Sequence, residues 1–560
     1  MSTGGKNLKN MHTGAYSIYL MKQQQLKRNY NGLIDYILIL SLILGIFIFI
    51  AMPFFYVFKE SLVINGSLSF ALFQDVFKNH LHLLKNSLSA GLYTTVLTAI
   101  AGITTALFSY LMPTKIKRLI FFILAVTMIS PPFVTALSYI NLFGRRGLVS
   151  YYLLGISKSP YGITGIVLMQ SLSNFSLAAL ILIGFLNNLD RSQLDSARNL
   201  GAKTNRLIID IILPFLFPAI KSVMLLTFLR SLSDFGTPAI IGGSFNVLAT
   251  ESYFAVIAQG NLGKASAINV LLLIPAIIIF ILYQKSFKNI SISSHGTATS
   301  EIEIKRQGIL FYLISIIAVF FLLWISIQYS SIILSAFTKM KKGKMIFTFA
   351  NILETRDHIT STVIRSIAYS LIAAVGGSII GLLIAYYKQI RKIKIMQAVD
   401  FAATLPYIIP GTFFGLGYLL AFNSKPLMLT GTAAIVVLNI LFKQLPFSTK
   451  IGNAAMEEIN IDTLNSIRDL GGKRINEITD AVIPLSKNAL GVSFINGFTT
   501  TMTTIGSIIF LVYPSQKILT LVMFDVIQSG YYEIGSVIAL LIIIICLIVN
   551  LIYFLVLKKK

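Results

Sequence analysis

Apolar runs of about 20 residues recur along the whole of this 560-residue chain, and each is long enough to cross a bilayer as a helix. Hydrophobic residues make up 55% of the sequence and charged residues 12%, where a soluble chain of this length carries about twice that charge. A soluble core of buried helices rarely contains so many such runs. The composition therefore predicts an all-α polytopic membrane protein.

Twelve spans are predicted, at roughly 33–58, 86–112, 118–143, 161–186, 215–241, 264–283, 308–336, 362–387, 393–421, 427–447, 485–513 and 533–557. The 46 Lys and Arg against 21 Asp and Glu leave a net charge of +25. In a soluble protein that excess suggests nucleic acid, but here it follows from the retention of positive residues in cytoplasmic loops. Placing Lys6, Lys9, Lys22, Lys27 and Arg28 inside also puts inside the basic stretch Lys115-Ile116-Lys117-Arg118, residues 388–394 and Lys558-Lys559-Lys560. Arg145-Arg146 and the 339–344 cluster fall outside and oppose the rule; the majority places both termini in the cytoplasm. The first run starts near Leu33, is too long for a signal-peptide core and lacks a small-residue cleavage site, so it reads as a retained helix. The lone Cys546 excludes a disulfide framework or a cysteine metal site.

The chain also repeats itself. Asp195-Ser196-Ala197, Gly201, Ile211 and Leu213-Pro214 are echoed by Asn465-Ser466-Ile467, Gly471 and Val482-Ile483-Pro484, 270 residues on. Asp234-Phe235-Gly236-Thr237 aligns with Thr504-Ile505-Gly506-Ser507 at the same offset, and Asn86-Ser87 with Arg365-Ser366. The polar, Ser- and Lys-rich segment 285–307 separates residues 1–284 from 308–560. The expected organisation is two parallel six-span repeats, with polar loops at 187–214 and 448–484 on the cytoplasmic side. Each loop begins with a helical stretch, 194–200 or 463–470, broken by a glycine suited to a left-handed turn. A second helical stretch ends at Pro214 or Pro484, where proline opens the next span.

These residues resemble the cytoplasmic coupling motif of ABC importer permeases: EAA, three residues, G, nine residues, I, one residue, LP. The first loop fits every spacing, with Asp195 for Glu and Ser196 for Ala; in the second, Asn465 replaces the acid and Ala481 stands at the isoleucine position. The resemblance implies that each loop seats on one of two ABC ATPase subunits, with Asp195 a charged contact. The chain has no G-x-x-x-x-G-K-[ST] stretch, since Gly263-Lys264-Ala265 and Gly472-Lys473-Arg474 both fail the pattern, so ATP belongs on the partner and this chain is a transport subunit rather than an enzyme.

The passage from Arg230 to Pro238, the run Leu405-Pro406-Tyr407-Ile408-Ile409-Pro410-Gly411 and the fused layout look like the ferric-iron permeases of the binding-protein-dependent class. The resemblance implies an extracytoplasmic binding protein, a bacterial cytoplasmic membrane and ferric iron as cargo. Aminoethylphosphonate, sugar phosphate, thiamine and polyamine remain as alternatives. Candidate path residues are Arg230 and Asp234 (one ion pair, or pore-lining groups), Gly236, Pro406 and Pro410 at a broken span, and Thr500 and Thr504 in a threonine-rich stretch that equally suits helix packing. No metal cage is evident among the five histidines, and the chain itself is expected to bind no cofactor. An ion-coupled secondary transporter would place a carboxylate in mid-span, for which Asp400 is the nearest candidate. A membrane-embedded enzyme finds no catalytic arrangement.

Overall fold

The computed structural model describes residues 33–558 apart from 65, 132, 146, 156–159, 289–305, 342–343 and 360. The basic N-terminal residues, Pro132, Arg146, Lys342, Lys559, Lys560 and most of the 285–307 segment lie outside the described residues.

Among the described residues, nine helices are long and apolar enough to cross a membrane: Leu33–Leu62, Ala71–Leu111, Ile163–Leu186, Thr204–Ser233, Leu262–Lys285, Ile309–Ala336, Thr362–Ile390, Ala433–Glu458 and Tyr532–Leu555. Two further helix pairs are apolar enough together but bent at a short break, Thr114–Ile129 with Phe133–Leu153 at 103° and Lys394–Ile408 with Gly411–Ala421 at 116°, the geometry of a broken span or a re-entrant loop. The breaks fall beside Pro131 and Pro410, whose missing N–H groups and rings disfavour a continuous helix. Counting each bent pair as one span, the described residues hold up to eleven candidates by length and composition, so the expected count of twelve is not reproduced among them. The difference lies at 485–513, where the helix Lys487–Thr503 has 17 residues, about 26 Å. It starts after a break at Ser486 and stops at the extended Thr504.

Other boundaries move too. The predicted 215–241 span ends at Ser233, and Gly236–Ile241 forms a separate short helix after the extended Asp234. The predicted 427–447 span runs instead from Ala433 to Glu458, so residues 448–458 belong to the bundle rather than to the second loop. Two small hairpins, Val63–Ile64 with Ser67–Leu68 and Thr338–Lys341 with Lys344–Phe347, interrupt the all-helical pattern after the first span of each half.

The two halves exchange their first spans. Leu42, Ile46 and Ile50 are buried in a core with Leu416, Phe422, Ile440 and Phe442 of the second half, where Phe49 stacks on Phe442 at 4.9 Å. Phe311, Ile314, Ala318 and Phe321 are buried with Leu124, Phe175 and Leu182 of the first half, where Trp324 stacks on Phe143 at 5.6 Å. The sequence boundary near 285–307 is therefore not a boundary in the packing.

Smaller correspondences hold the pattern together. The Ser87 hydroxyl accepts a bond from the Leu248 N–H at 2.9 Å, and the Ser366 hydroxyl accepts one from the Leu519 N–H at 2.8 Å. Each satisfies an orphan donor at the start of a short helix, Leu248–Ile257 or Leu519–Gln528. Both polar loops emerge at one end. Gly308 packs on Asn205 of the first loop, and Arg391 and Arg474 meet at Asp35. The spans Ile309–Ala336 and Thr362–Ile390 run out from the Gly308 end and return to Arg391.

Candidate functional site: the paired loops and the seam between the halves

Each loop is built the same way. The helix Arg191–Asn199 is capped by Asp190, whose carboxylate accepts bonds from the Ser192 N–H at 2.9 Å and hydroxyl at 2.8 Å. Those two bonds hold the exposed Asp190 carboxyl below its ordinary range. Helix Ile461–Asp469 is capped by Asn460, which accepts from the Asp462 N–H at 2.9 Å. Both helices end at a glycine in the left-handed region, Gly201 at φ +87° and Gly471 at φ +77°. The closing bonds match: Ala202 N–H to the Ala197 carbonyl at 2.9 Å, and Gly472 N–H to the Ile467 carbonyl at 2.8 Å, the paired pattern of a Schellman turn.

The chain then re-enters a helix that runs through the proline rather than beginning at it. Leu207–Ile212 and Glu477–Val482 are wound as π-turns just before Leu213-Pro214 and Ile483-Pro484. A proline inside a helix lacks a donor and crowds the carbonyl four residues back, and a widened turn accommodates both defects.

Among the sequence candidates, Asp195 sits in mid-helix rather than at an N-terminus, largely exposed, 3.6 Å from Arg198. Asn465 accepts a bond from Arg468 at 3.2 Å. Ser196 and Ser466 give their carbonyls to the closing turns at Leu200 and Leu470. Those two leucines were not singled out from sequence, yet they are 89% and 88% exposed at the tips of the loops. A large apolar side chain next to the turn glycine in both copies was the available signal.

Beneath the loops the halves differ. Glu477 is 1% exposed and takes Arg468 in a two-point bridge, 2.6 Å from Nε and 3.0 Å from Nη2, while the Tyr386 hydroxyl donates to it at 2.8 Å. The Glu477 bond holds the Arg468 guanidinium charged above its ordinary range. Alongside, Asp35 of the first span accepts from Tyr387 at 2.9 Å and from Arg474 at 2.5 Å. Leu207 and Thr204 stand where the second loop has Glu477 and Arg474, and Leu207 is buried in an apolar cluster.

The path candidates divide. Asp234 accepts from the Gly236 and Thr237 N–H groups at 3.0 and 3.2 Å and from Gln170 at 3.0 Å, which makes it a cap for the short helix Gly236–Ile241. It forms no salt bridge with Arg230 among the described residues. Gly236 packs on Phe133, where a β-carbon would lie 2.2 Å from the ring. Its counterpart Gly506 faces Gly411 at the corresponding broken span. Pro410 caps the second segment of that span, and Pro406 lies within the first. Thr500 is exposed, and the chain turns out of its helix at Thr504.

Two lysines inside a span were missed. Lys443 donates to the Pro406 and Ile409 carbonyls at 2.7 and 2.6 Å, satisfying the end of the broken helix. Lys450 lies 5.0 Å over the Tyr407 ring and 5.9 Å from the Tyr283 ring. Among the described residues no three His, Cys, Asp or Glu side chains gather as a metal site.

Residues 98–292 match the family described as binding-protein-dependent transport system inner membrane component. The chain is 28% identical over 519 residues to the ferric transport system permease protein FbpB of Actinobacillus pleuropneumoniae, covering 89% of this chain and 74% of that one. It is 29% identical over 504 residues to the putative ferric transport system permease protein FbpB 1 of Haemophilus influenzae, covering 86% and 78%. A putative 2-aminoethylphosphonate transport system permease protein, PhnU of Salmonella typhi, is 24% identical over 230 residues, 39% of this chain and 80% of that one.

Proposed function

We propose that this chain, which belongs to the family of binding-protein-dependent transport system inner membrane components, is the permease of an ATP-driven importer for ferric iron. The observation that carries the reading is the pair of matched loop helices at one end of the bundle, each ending in an exposed leucine and a left-handed glycine. Two such protrusions suit grooves on two ATPase subunits. The ferric cargo is supported by the names of the two relatives that match over most of this chain.

In this reading both loops and both termini face the cytoplasm, and ATP is bound and hydrolysed on the partners. A binding protein docks at the opposite end, over 58–85, 144–160, 242–263, 337–361 and 514–532. Closure of the ATPases moves the loops together. The second loop passes that motion through Arg468–Glu477–Tyr386 to the span Thr362–Ile390, and through Arg474–Asp35 to the exchanged span Leu33–Leu62. A two-point arginine–carboxylate bridge fixes orientation as well as distance, so such a link transmits rotation.

Against an ion-coupled transporter stands Asp400, whose oxygens are taken by Lys388 at 2.7 Å and Asn453 at 3.2 Å. The test is reconstitution with the ATPase and the binding protein in proteoliposomes. Radioactive ferric iron should enter only with ATP, and entry driven by an ion gradient without ATP would overturn the class.

A further inference from the structure

Lys443 is the eleventh residue of the 26-residue helix Ala433–Glu458, so its side chain starts well inside a span. An ionisable residue at such depth is costly and pairs with another charge or with backbone carbonyls. The Lys443 ammonium donates to the Pro406 carbonyl at 2.7 Å and to the Ile409 carbonyl at 2.6 Å, and it lies 5.6 Å from the centroid of the Phe414 ring. Pro406 and Ile409 stand before the break at Pro410, and Phe414 stands after it. One ammonium thus ties both segments of the bent pair Lys394–Ile408 and Gly411–Ala421 at their corner.

One turn earlier on the same helix face is Asn439. It is fully buried, and neither its amide nitrogen nor its oxygen has a hydrogen-bond partner among the described residues. A buried amide left unpaired is costly, and a lysine four residues on can reach its oxygen without any movement of the helix. The first half lacks both groups, because Met169 and Ser173 stand in their places at the offset of 270. Its own break is closed by hydroxyls, with Ser130 donating to the Thr127 carbonyl at 2.9 Å and bonded to the Tyr329 hydroxyl. The ammonium and the unpaired amide therefore occur together, in one half.

Movement at this corner bears on the candidate path. A β-carbon on Gly411 would lie 2.9 Å from the Gly506 carbonyl carbon, and one on Gly415 would lie 2.5 Å from the Ser507 carbonyl oxygen. At contact this close, a swing of the segment after the break carries the stretch beyond Thr504 with it.

We propose that Lys443 is a positioning residue with two seats. On the Pro406 and Ile409 carbonyls it holds the 116° bend closed, and on Asn439 it releases the segment Gly411–Ala421 as cargo passes. The carbonyl pair and the Phe414 face are then a site for a primary ammonium group, whose resident occupant is tethered to the chain. The role in transport rests on the permease reading, whereas the ammonium site is testable without it.

The first arm uses the purified full chain. In Lys443→Ala, n-propylammonium should raise the unfolding temperature saturably, and tetramethylammonium, which has no N–H donor, should not. The wild type should respond to neither. The second arm uses the transporter reconstituted with its ATPase and binding protein. Lys443→Ala should lower the iron taken up per ATP hydrolysed about tenfold, as loss of a charged hydrogen-bond donor implies, and n-propylammonium should restore that ratio in part. Asn439→Leu removes an unpaired buried amide, so it should fold at least as stably as the wild type. It should nonetheless slow uptake and ATP hydrolysis together, because the lysine has lost its second seat. A purely structural lysine predicts wild-type turnover in Asn439→Leu, and that result overturns the two-seat proposal. No stabilisation of Lys443→Ala by n-propylammonium overturns the site. A wild type that binds its partners but imports no iron removes the permease reading and leaves the first arm to decide the site.

Discussion

Arg468 grips Glu477 at two points, with Nε 2.6 Å from one carboxylate oxygen and Nη2 3.0 Å from the other. The arginine belongs to the protruding helix of the second loop and the glutamate to the π-turn that leads back into the bundle. Because Glu477 is buried and Arg468 is half open to solvent, the two ends of the bond respond differently to substitution.

Arg468→Ala should leave a buried carboxylate with Tyr386 as its remaining donor and destabilise the chain by about 1–3 kcal/mol. Adding Glu477→Leu, the residue type that the first loop carries at Leu207, should recover most of that loss, because an apolar replacement removes the unpaired charge. Thermal unfolding of the purified single and double variants checks the pair. A double variant no more stable than Arg468→Ala would show that the bridge is not the source of the loss. ATP-driven uptake should stay low in the double variant, because the rigid link is gone.

Leu200→Asp and Leu470→Asp should leave unfolding unchanged, since both side chains are almost fully exposed. Each should weaken capture of the ATPase by the solubilised chain, and the double variant should abolish it. Asp195→Ala should weaken capture more than Asn465→Ala, because Asp195 alone brings a charge. Wild-type capture by the double leucine variant would remove these tips from the interface.

Gly201→Val and Gly471→Val place a β-branched residue at φ +87° and +77°, a conformation that penalises an L side chain by about 1–2 kcal/mol. No atom lies within 4 Å of a β-carbon at either site, so crowding plays no part. Asparagine, which tolerates this region, should therefore retain more transport than valine at both positions. Uptake by cells with equal amounts of membrane-inserted protein checks the order.

Gly236→Ala would drive a β-carbon to 2.2 Å from the Phe133 ring and should destabilise by about 1–3 kcal/mol. Phe133→Leu in the same chain should restore stability. If transport returns with it, Gly236 serves close packing at the broken span; a stable double variant without transport would assign the glycine to the path itself.

Cys546 is buried, so single cysteines can be introduced without removing it. Leu200→Cys and Leu470→Cys should react with an impermeant thiol reagent only after cells are opened, and Lys339→Cys in intact cells. The reverse pattern would invert the orientation.

The sequence by itself determined where most of the long apolar helices lie and where the two loops turn. Both follow from local physics: a run of apolar residues partitions into hydrocarbon wherever it occurs, and a glycine is the residue for a left-handed turn, as at Gly201 and Gly471. It also marked the break near Pro410, because a missing N–H is a local property. Only the tertiary structure decided which helix packs on which. Lipid tails are as apolar as leucine, so a uniformly apolar span carries little record of its partner. The exchange of Leu33–Leu62 and Ile309–Ala336 between the halves was therefore not legible. The pairing of Asp35 with Arg474, 439 residues away in the chain, was hidden for the same reason. Asp234 shows the limit from the other side: its spacing to Arg230 suggested an ion pair, but the helix ends at Ser233, and the carboxylate turns to cap the next one. Charge and spacing are written in the chain, whereas the partner of a buried charge is set by where long-range packing brings the next donor.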